Sequence, residues 1–249
     1  MNVGLYQSAA SMTALERWQD AVSQNIASSG VSGFKKRTVE VSGASMGTLN
    51  SGANNQNVSA GVLPQVSVGV SYMPGQAEPT GKATDMAIDG PGFFQVQGPN
   101  NQTLYTRDGQ LHVSPDRTLV TKEGYPILSE SGTPITIQPD AGDLDVSADG
   151  TVSQTTPTGS TQIGKFAVVA FSHNDRLESA GNGLFVAPQD AVAAPVEKPV
   201  VMSGYLEQSN VSPVNEMISL VQISRAYEAN QKTIQSQDDA MQHALDALG

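Results

Sequence analysis

The chain has 249 residues, 38% hydrophobic and 5% aromatic, with 24 Gly, 14 Pro and no Cys. That length holds one large domain or two ordinary ones, but the apolar content is thin for a single compact core, so part of the chain is expected to find its burial in partners. The formal net charge of −11 repels phosphate backbones. The basic cluster Lys35-Lys36-Arg37 is too short to make a groove, which argues against nucleic acid as a partner.

The first expected element is a helix over Met1 to Ser28, free of Pro and interrupted only by Gly4. Leu5, Met12, Leu15, Val22 and Ile26 recur at three-, four- and seven-residue steps and form a narrow stripe on one face. Ser28-Ser29-Gly30 and then Gly33 end it. The stripe suits a helix packed on its own domain as well as one packed on another chain. Met1 to Ala10 lack a basic n-region followed by an apolar core, and no apolar run approaches the roughly 20 residues that span a bilayer. The expectation is a cytoplasmic chain or one exported by a route that leaves no cleaved signal, without membrane insertion.

From Val41 to Gly81 the sequence is rich in Ser, Gly, Asn and Val, without helical period. It reads as an extended connector carrying a strand or two around Val62 to Val70. Short strands are then expected at Phe93–Val96, Leu104–Thr106, Leu111–Val113, Leu119–Thr121, Ile135–Ile137, Leu144–Val146, Phe166–Phe171 and Leu184–Val186. The pairs Asp108-Gly109, Glu123-Gly124, Asp149-Gly150 and Asn182-Gly183 supply turns between them. Strands broken this regularly predict an antiparallel sandwich or barrel.

The last element is a helix from Ser212 to Leu248, with Ser212 placed to cap it and Pro213 at its first position. One seam series, Leu220, Tyr227, Ile234, Met241 and Leu248, is apolar at every seventh residue. The alternate series, Met217, Ser224, Gln231, Asp238 and Leu245, is apolar only at its ends, as in a coiled-coil-like contact whose register must be specified. Val214, Ile218 and Val221 add a second strip, so this helix is expected to need more than one neighbour.

Reaction chemistry and metal binding find no footing in these residues. Gly90-Pro91-Gly92 lacks the backbone donor an anion loop needs at Pro91. His112, His173 and His243 stand far apart and have no ligand at metal-motif spacing. Asp143, Asp145 and Asp149 lack the turn glycine and terminal Glu of a calcium loop. No serine occupies a nucleophile elbow. The expectation is a protein that is not an enzyme and carries no metal or cofactor.

Several segments together resemble one family, the flagellar axial proteins, and within it the rod proteins of the basal body. Gln24-Asn25-Ile26-Ala27-Ser28-Ser29-Gly30-Val31-Ser32-Gly33-Phe34-Lys35 is similar to a signature in which a helix ends in Asn-x-x-Ala-Asn and continues to Thr-x-Gly-Phe-Lys. Ser28 and Ser32 replace the usual Asn and Thr, and both keep a small polar side chain able to form turns. Asp85 to Val96, Tyr105-Thr106-Arg107-Asp108-Gly109, Gly204 to Val211 and Arg225 to Asn230 resemble later family segments in the same order.

The resemblance implies an α+β fold. The N- and C-terminal helices would form a coiled-coil-like inner domain, with a central all-β, sandwich- or barrel-like domain outside it. The corresponding boundaries are 1–36 plus 204–249 for the helical domain, 37–80 for the connector and 81–203 for the β domain. It also implies export, unfolded, through the flagellar type III apparatus and residence in the rod across the periplasm. Met202-Ser203-Gly204 and Ser212-Pro213-Val214 favour the proximal-rod member, whereas Gly92-Phe93-Phe94 and Arg225-Ala226-Tyr227-Glu228 suit the distal-rod member as well. The expected assembly surface is Leu5, Met12, Leu15, Val22 and Ile26 at one end and Met217, Leu220, Tyr227, Ile234, Met241 and Leu245 at the other. The partners would be other copies of the chain and neighbouring rod proteins. The rival reading is a secreted β-sandwich adhesin whose end helices merely trimerise it; such a protein would expose an aromatic patch on its β domain, whereas the lone Trp18 falls in the first helix.

Overall fold

The computed structural model describes residues 3–45, 48–51, 56–59, 62–139, 142, 144–156, 159–189 and 191–247. The fold is α+β, and the chain divides into two compact units. Residues 1–27, 37–71 and 212–249 make the first; residues 28–36 and 72–211 make the second.

The first unit holds helix α1 (Val3–Ala27), strands β1 (Arg37–Ser45), β2 (Thr48–Ser51), β3 (Gln56–Ser59) and β4 (Val62–Val70), and helix α2 (Pro213–Asp246). β1 pairs antiparallel with β4 from Arg37↔Val70 to Ser45↔Val62, and β2 pairs with β3 in the same register. The stretch expected as a connector is therefore one long ribbon. Residues directly opposite share a face, so Val39 and Val41 stand with Val66, Val68 and Val70, and Thr38, Glu40 and Ser42 stand with Gln65, Ser67 and Gly69. The helix α1 packs on α2 and on both long strands of the ribbon. Pro213 opens α2 and Ser212 occupies its N-cap position, but the Ser212 side chain makes no capping bond; the Ser212 carbonyl accepts from Glu216 N at 3.1 Å.

The second unit contains β5 (Ala77–Pro79), β6 (Met86–Asp89), β7 (Phe93–Gln97), β8 (Thr103–Thr106), β9 (Leu111–Val113), β10 (Leu119–Thr121), β11 (Leu144–Val146) and β12 (Thr151–Thr156). It continues with β13 (Gly159–Lys165), β14 (Val168–Phe171), β15 (Glu178–Gly181), β16 (Leu184–Val186), β17 (Ala193–Pro195), β18 (Val200–Ser203) and β19 (Tyr205–Glu207). Its largest sheet is antiparallel in the order β15-β16-β8-β7-β14-β17, joined by the three-stranded β11-β12-β13 and several two-stranded sheets. Neighbouring residues of β7 point to opposite faces. Phe94 turns into a core with Met86, Leu119, Ile127, Phe166 and Val201, its ring 5.6 Å from that of Phe166. Phe93 turns the other way onto Tyr72, Phe171 and Phe185.

Two expectations fail locally. Ile135–Ile137 makes an isolated bridge, Thr118↔Thr136, instead of a strand. Asp108-Gly109 is not a surface turn: both residues are buried, Gly109 O accepts from Met86 N at 2.9 Å, and a Cβ on Gly109 would collide with the Met86 backbone. That glycine is needed for close approach of two segments, not for a left-handed turn.

Candidate assembly interface

Two contacts set the pairing of the terminal helices. At one end Gly4 faces Gln237: a Cβ on Gly4 would lie 2.6 Å from Gln237 Nε2, the far end of that flexible side chain. At the other, Asn25 Nδ2 donates to Glu216 Oε2 at 3.0 Å. The interval from Gly4 to Asn25 equals that from Glu216 to Gln237, so α1 and α2 run antiparallel in one unbroken register.

The seam follows from that register. Between Glu216 and Gln237, the buried or half-buried residues of α2 are 216, 219, 220, 223, 226, 227, 230, 234 and 237. Of these, 216, 220, 223, 227, 230, 234 and 237 alternate four- and three-residue steps, as a coiled-coil contact requires, and 219 and 226 flank that line. Leu220, Tyr227 and Ile234 of the expected seam are among them, all half-buried. The series that accompanies them is Glu216, Ile223, Asn230 and Gln237, one residue before the alternate series read from the sequence. Met217, Ser224, Gln231, Asp238 and Leu245 are all exposed in the single chain. Sequence periodicity favoured Met217 and Leu245 for their apolar side chains. The register instead puts Glu216, which bonds across the pair to Asn25, on the inward series. On α1, Val22 is buried and Met12, Leu15 and Ile26 are half-buried; the Leu5 side chain lies outside the described residues, as does Leu248. Met241 is exposed.

Asn25 is the best-connected side chain of this pair. It is fully buried, and its amide serves two elements at once. Oδ1 accepts from Arg37 N at 2.8 Å, and Nδ2 donates to Arg37 O at 2.9 Å as well as to Glu216. The side chain thus pairs with the first residue of β1 as a neighbouring strand would, and fixes where the ribbon leaves the helices. Glu216 stands 1% exposed in the first turn of α2, where unpaired backbone N–H groups favour an anion. Asn25 lies in the family-like segment from Gln24 to Lys35, and neither it nor Glu216 stands out by apolar periodicity, because both are polar at inward positions.

A second polar centre lies within the β unit. Glu207, at the end of β19, accepts from Lys35 Nζ at 2.5 Å and from Gly75 N at 2.9 Å through Oε1, and from Arg107 Nη1 at 3.1 Å through Oε2. All three side chains are buried. Lys35 also donates to Met73 O, and Arg107 to Ile88 O and Gly90 O, while the guanidinium sits 5.5 Å from the Phe93 ring centre. Burial lowers the pKa of both cations, and Glu207 pulls each part of the way back. Around this centre Gly33 N donates to Glu207 O, Lys36 N to Asn210 Oδ1, and Asn210 Nδ2 to Met73 O. Gly33 has φ 67° and no room for a Cβ against the Arg107–Asp108 backbone. Residues 33–36, 73–76 and 207–210, distant in sequence, are knotted to the β core by one carboxylate serving two cations. Lys35 beside Phe34 and Glu207 beside Leu206, charged residues next to apolar ones, were the available signal.

Among the described residues no group of three or more His, Asp and Glu side chains is placed to hold a metal ion, and no helix is long and apolar enough to cross a membrane. What the molecule offers instead is helix surface. Val214, Met217, Ile218 and Val221 on α2, and Val41 and Val68 on the ribbon, are apolar and exposed. Exposed apolar side chains grouped on helix and ribbon are the kind of surface that partner chains cover.

The comparisons with known proteins agree. Residues 87–154 match the family model of the flagellar hook protein FlgE/F/G D1 domain, and residues 202–247 that of the flagellar basal body rod FlgEFG protein C-terminal. The chain is 33% identical over 255 residues to the flagellar basal-body rod protein FlgG of Buchnera aphidicola subsp. Schizaphis graminum, covering 93% of this chain and 95% of the relative. It is 33% identical over 249 residues to the rod protein FlgF of Caulobacter vibrioides, covering 100% and 99%, and 28% identical over 258 residues to FlgG of Bacillus subtilis, covering 97% of each. The chain belongs to the family of flagellar basal-body rod proteins, which are structural.

Proposed function

We propose that the chain is a subunit of the proximal rod, whose paired terminal helices pack copy against copy into the wall of the drive shaft and its export channel. It would reach that place unfolded, through the flagellar type III apparatus without a cleaved signal, and reside in the basal body across the periplasm among copies of itself and neighbouring rod proteins. The observation that carries this reading is α2: over 34 residues it buries only Glu216 and Ile223 completely, and it leaves apolar side chains uncovered on more than one side. Leu5, Met12, Leu15, Val22, Ile26, Met217, Leu220, Tyr227, Ile234, Met241 and Leu245 are the proposed assembly residues. Torque transmission needs stiffness, which helices interlocked between copies supply better than loops. The short sheets of the β unit would close round their common core as a sandwich- or barrel-like body. The segments around Met202 and Ser212 support the proximal member over the distal one.

Deleting the gene is expected to abolish swimming, and a tagged chain is expected in detergent-extracted basal bodies, at the inner end of the rod. A motile deletion strain, or a chain recovered only as discrete oligomers outside the cell, would favour the adhesin reading. A tag at the outer end would favour the distal rod.

A further inference from the structure

The intrachain seam leaves two apolar patches on α2, at opposite ends of the helix. Near its start Val214, Met217, Ile218 and Val221 are 66, 54, 53 and 52% exposed. At about 100° per residue this strip lies on the side of α2 turned away from Leu220, Ile223 and Tyr227. Near its end Met241 and Leu245 are 45 and 64% exposed. They lie on the seam side and continue the line of Leu220, Tyr227 and Ile234. The antiparallel register places Val3, the first described residue of α1, beside Asp238, so the last two turns of α2 overhang the described part of α1.

Continuity with the seam says what suits the overhang: the flank of another helix. The interval from Val214 to Met241 is the same as that from Ile218 to Leu245, about seven and a half turns. The odd half turn puts the members of each pair on opposite sides of α2. Two parallel helices related by a translation without rotation touch through opposite sides, so one shift along the axis brings both pairs into contact at once. That shift is about 40 Å at a rise of about 1.5 Å per residue.

We propose that the overhang of α2 in one copy packs on the start strip of α2 in a second copy, Met241 against Val214 and Leu245 against Ile218. The inference rests on the rod reading and deepens it by naming the partner surface. Both halves of the contact belong to the same chain and are different surfaces, so the contact is heterologous. It does not close as a two-fold dimer; repeated, it builds an open strand. Each patch is small, which keeps the free chain monomeric until a growing end presents the complementary patch.

The absence of cysteine makes disulfide trapping a clean test. The full chain carrying both Ile218→Cys and Leu245→Cys replaces the native gene, basal bodies are purified and oxidised, and the products are separated without reductant and identified by mass spectrometry. A ladder of this chain beyond the dimer, in the double variant and in neither single variant, is expected. Dimers from either single variant, a crosslink to a different rod protein, or incorporated double variant without crosslinks would overturn the contact. If that double variant is not incorporated, Val214→Cys with Met241→Cys decides by the same criteria. Absence of the unsubstituted chain from basal bodies would overturn the rod reading itself, which separates the two failures.

Discussion

In the β unit a continuous apolar cluster runs from Met86 to Val201, with Phe94, Leu119, Ile127, Val152 and Phe166 essentially inaccessible. In the helical unit α2 fully buries one apolar residue, Ile223. Burying one such side chain is worth about 1.5–3 kcal/mol, with fractions of that from half-buried Leu220, Tyr227 and Ile234, while fixing a residue's backbone costs roughly 1–2 kcal/mol. The β unit has a core of its own and the helical unit has half of one. The polar groups follow the same division: the β unit spends buried charge on Lys35, Arg107 and Glu207 to hold distant segments, and the helical unit uses Asn25 and Glu216 to choose a register.

Removing the carboxylate should break the β unit most severely. Glu207→Ala leaves two buried cations without their counter-ion, a loss of about 3–5 kcal/mol. Tyrosine fluorescence, which reports mainly Tyr72, Tyr105, Tyr125 and Tyr205, should show an earlier denaturant midpoint. Trp18 lies in α1, and its transition should stay where it is. A Trp18 transition that moves equally would show that the two units do not melt separately.

Asn25→Ala is the counterpart in the helical unit. It removes three hydrogen bonds and should cost about 2–3 kcal/mol, seen through Trp18 and only weakly in the tyrosine signal, to which Tyr6 and Tyr227 contribute from the helices. Asp108 sharpens the contrast through pH. Burial raises its pKa to about 6 from 3.8, with Glu123 and Asp85 adding to the shift. A raised folded-state pKa means the protonated form is favoured on folding, so this contribution is full below about pH 4 and is lost as pH rises through about 6. Asp108→Asn keeps the acceptor for Gln110 N and removes the charge. The variant should be more stable than the parent by about 2 kcal/mol at pH 8 and equal to it near pH 4, by thermal melts across that range.

The smallest change in the free chain has the largest consequence for assembly. Ile234→Asp, in the half-buried seam, should cost roughly 1–2 kcal/mol in the monomer yet abolish incorporation into the rod and motility; Gln235→Asp, exposed, should stay within about 0.5 kcal/mol and leave cells swimming. Equal effects of the two would remove the seam from the assembly surface.

Much of the fold was legible where apolar periodicity and turn chemistry agreed: α1, which ends at Ala27, strands such as Phe93–Val96 and Leu184–Val186, and α2 from Pro213. It was not legible where an inward position is polar. Gln154 sits 2% exposed at the centre of β12 and accepts from Gln138 N, so the hairpin from Thr151 to Lys165 carries no alternating apolar signal. The α2 seam shows the same limit, since Glu216, Asn230 and Gln237 hold inward positions: Glu216 bonds to Asn25, Gln237 lies against Gly4, and Asn230 bonds back to Ala226 O. The Lys35–Glu207–Arg107 centre joins three segments whose proximity only the fold creates.

Hydrogen exchange on a verified monomer and on assembled rods tests the central claim that the helical unit is completed only by other copies. The account predicts slow exchange for the β core in both states, fast exchange over residues 1–28 and 214–246 in the monomer, and strong protection of those helices in the rod. Slow exchange throughout both helices in the monomer would contradict it.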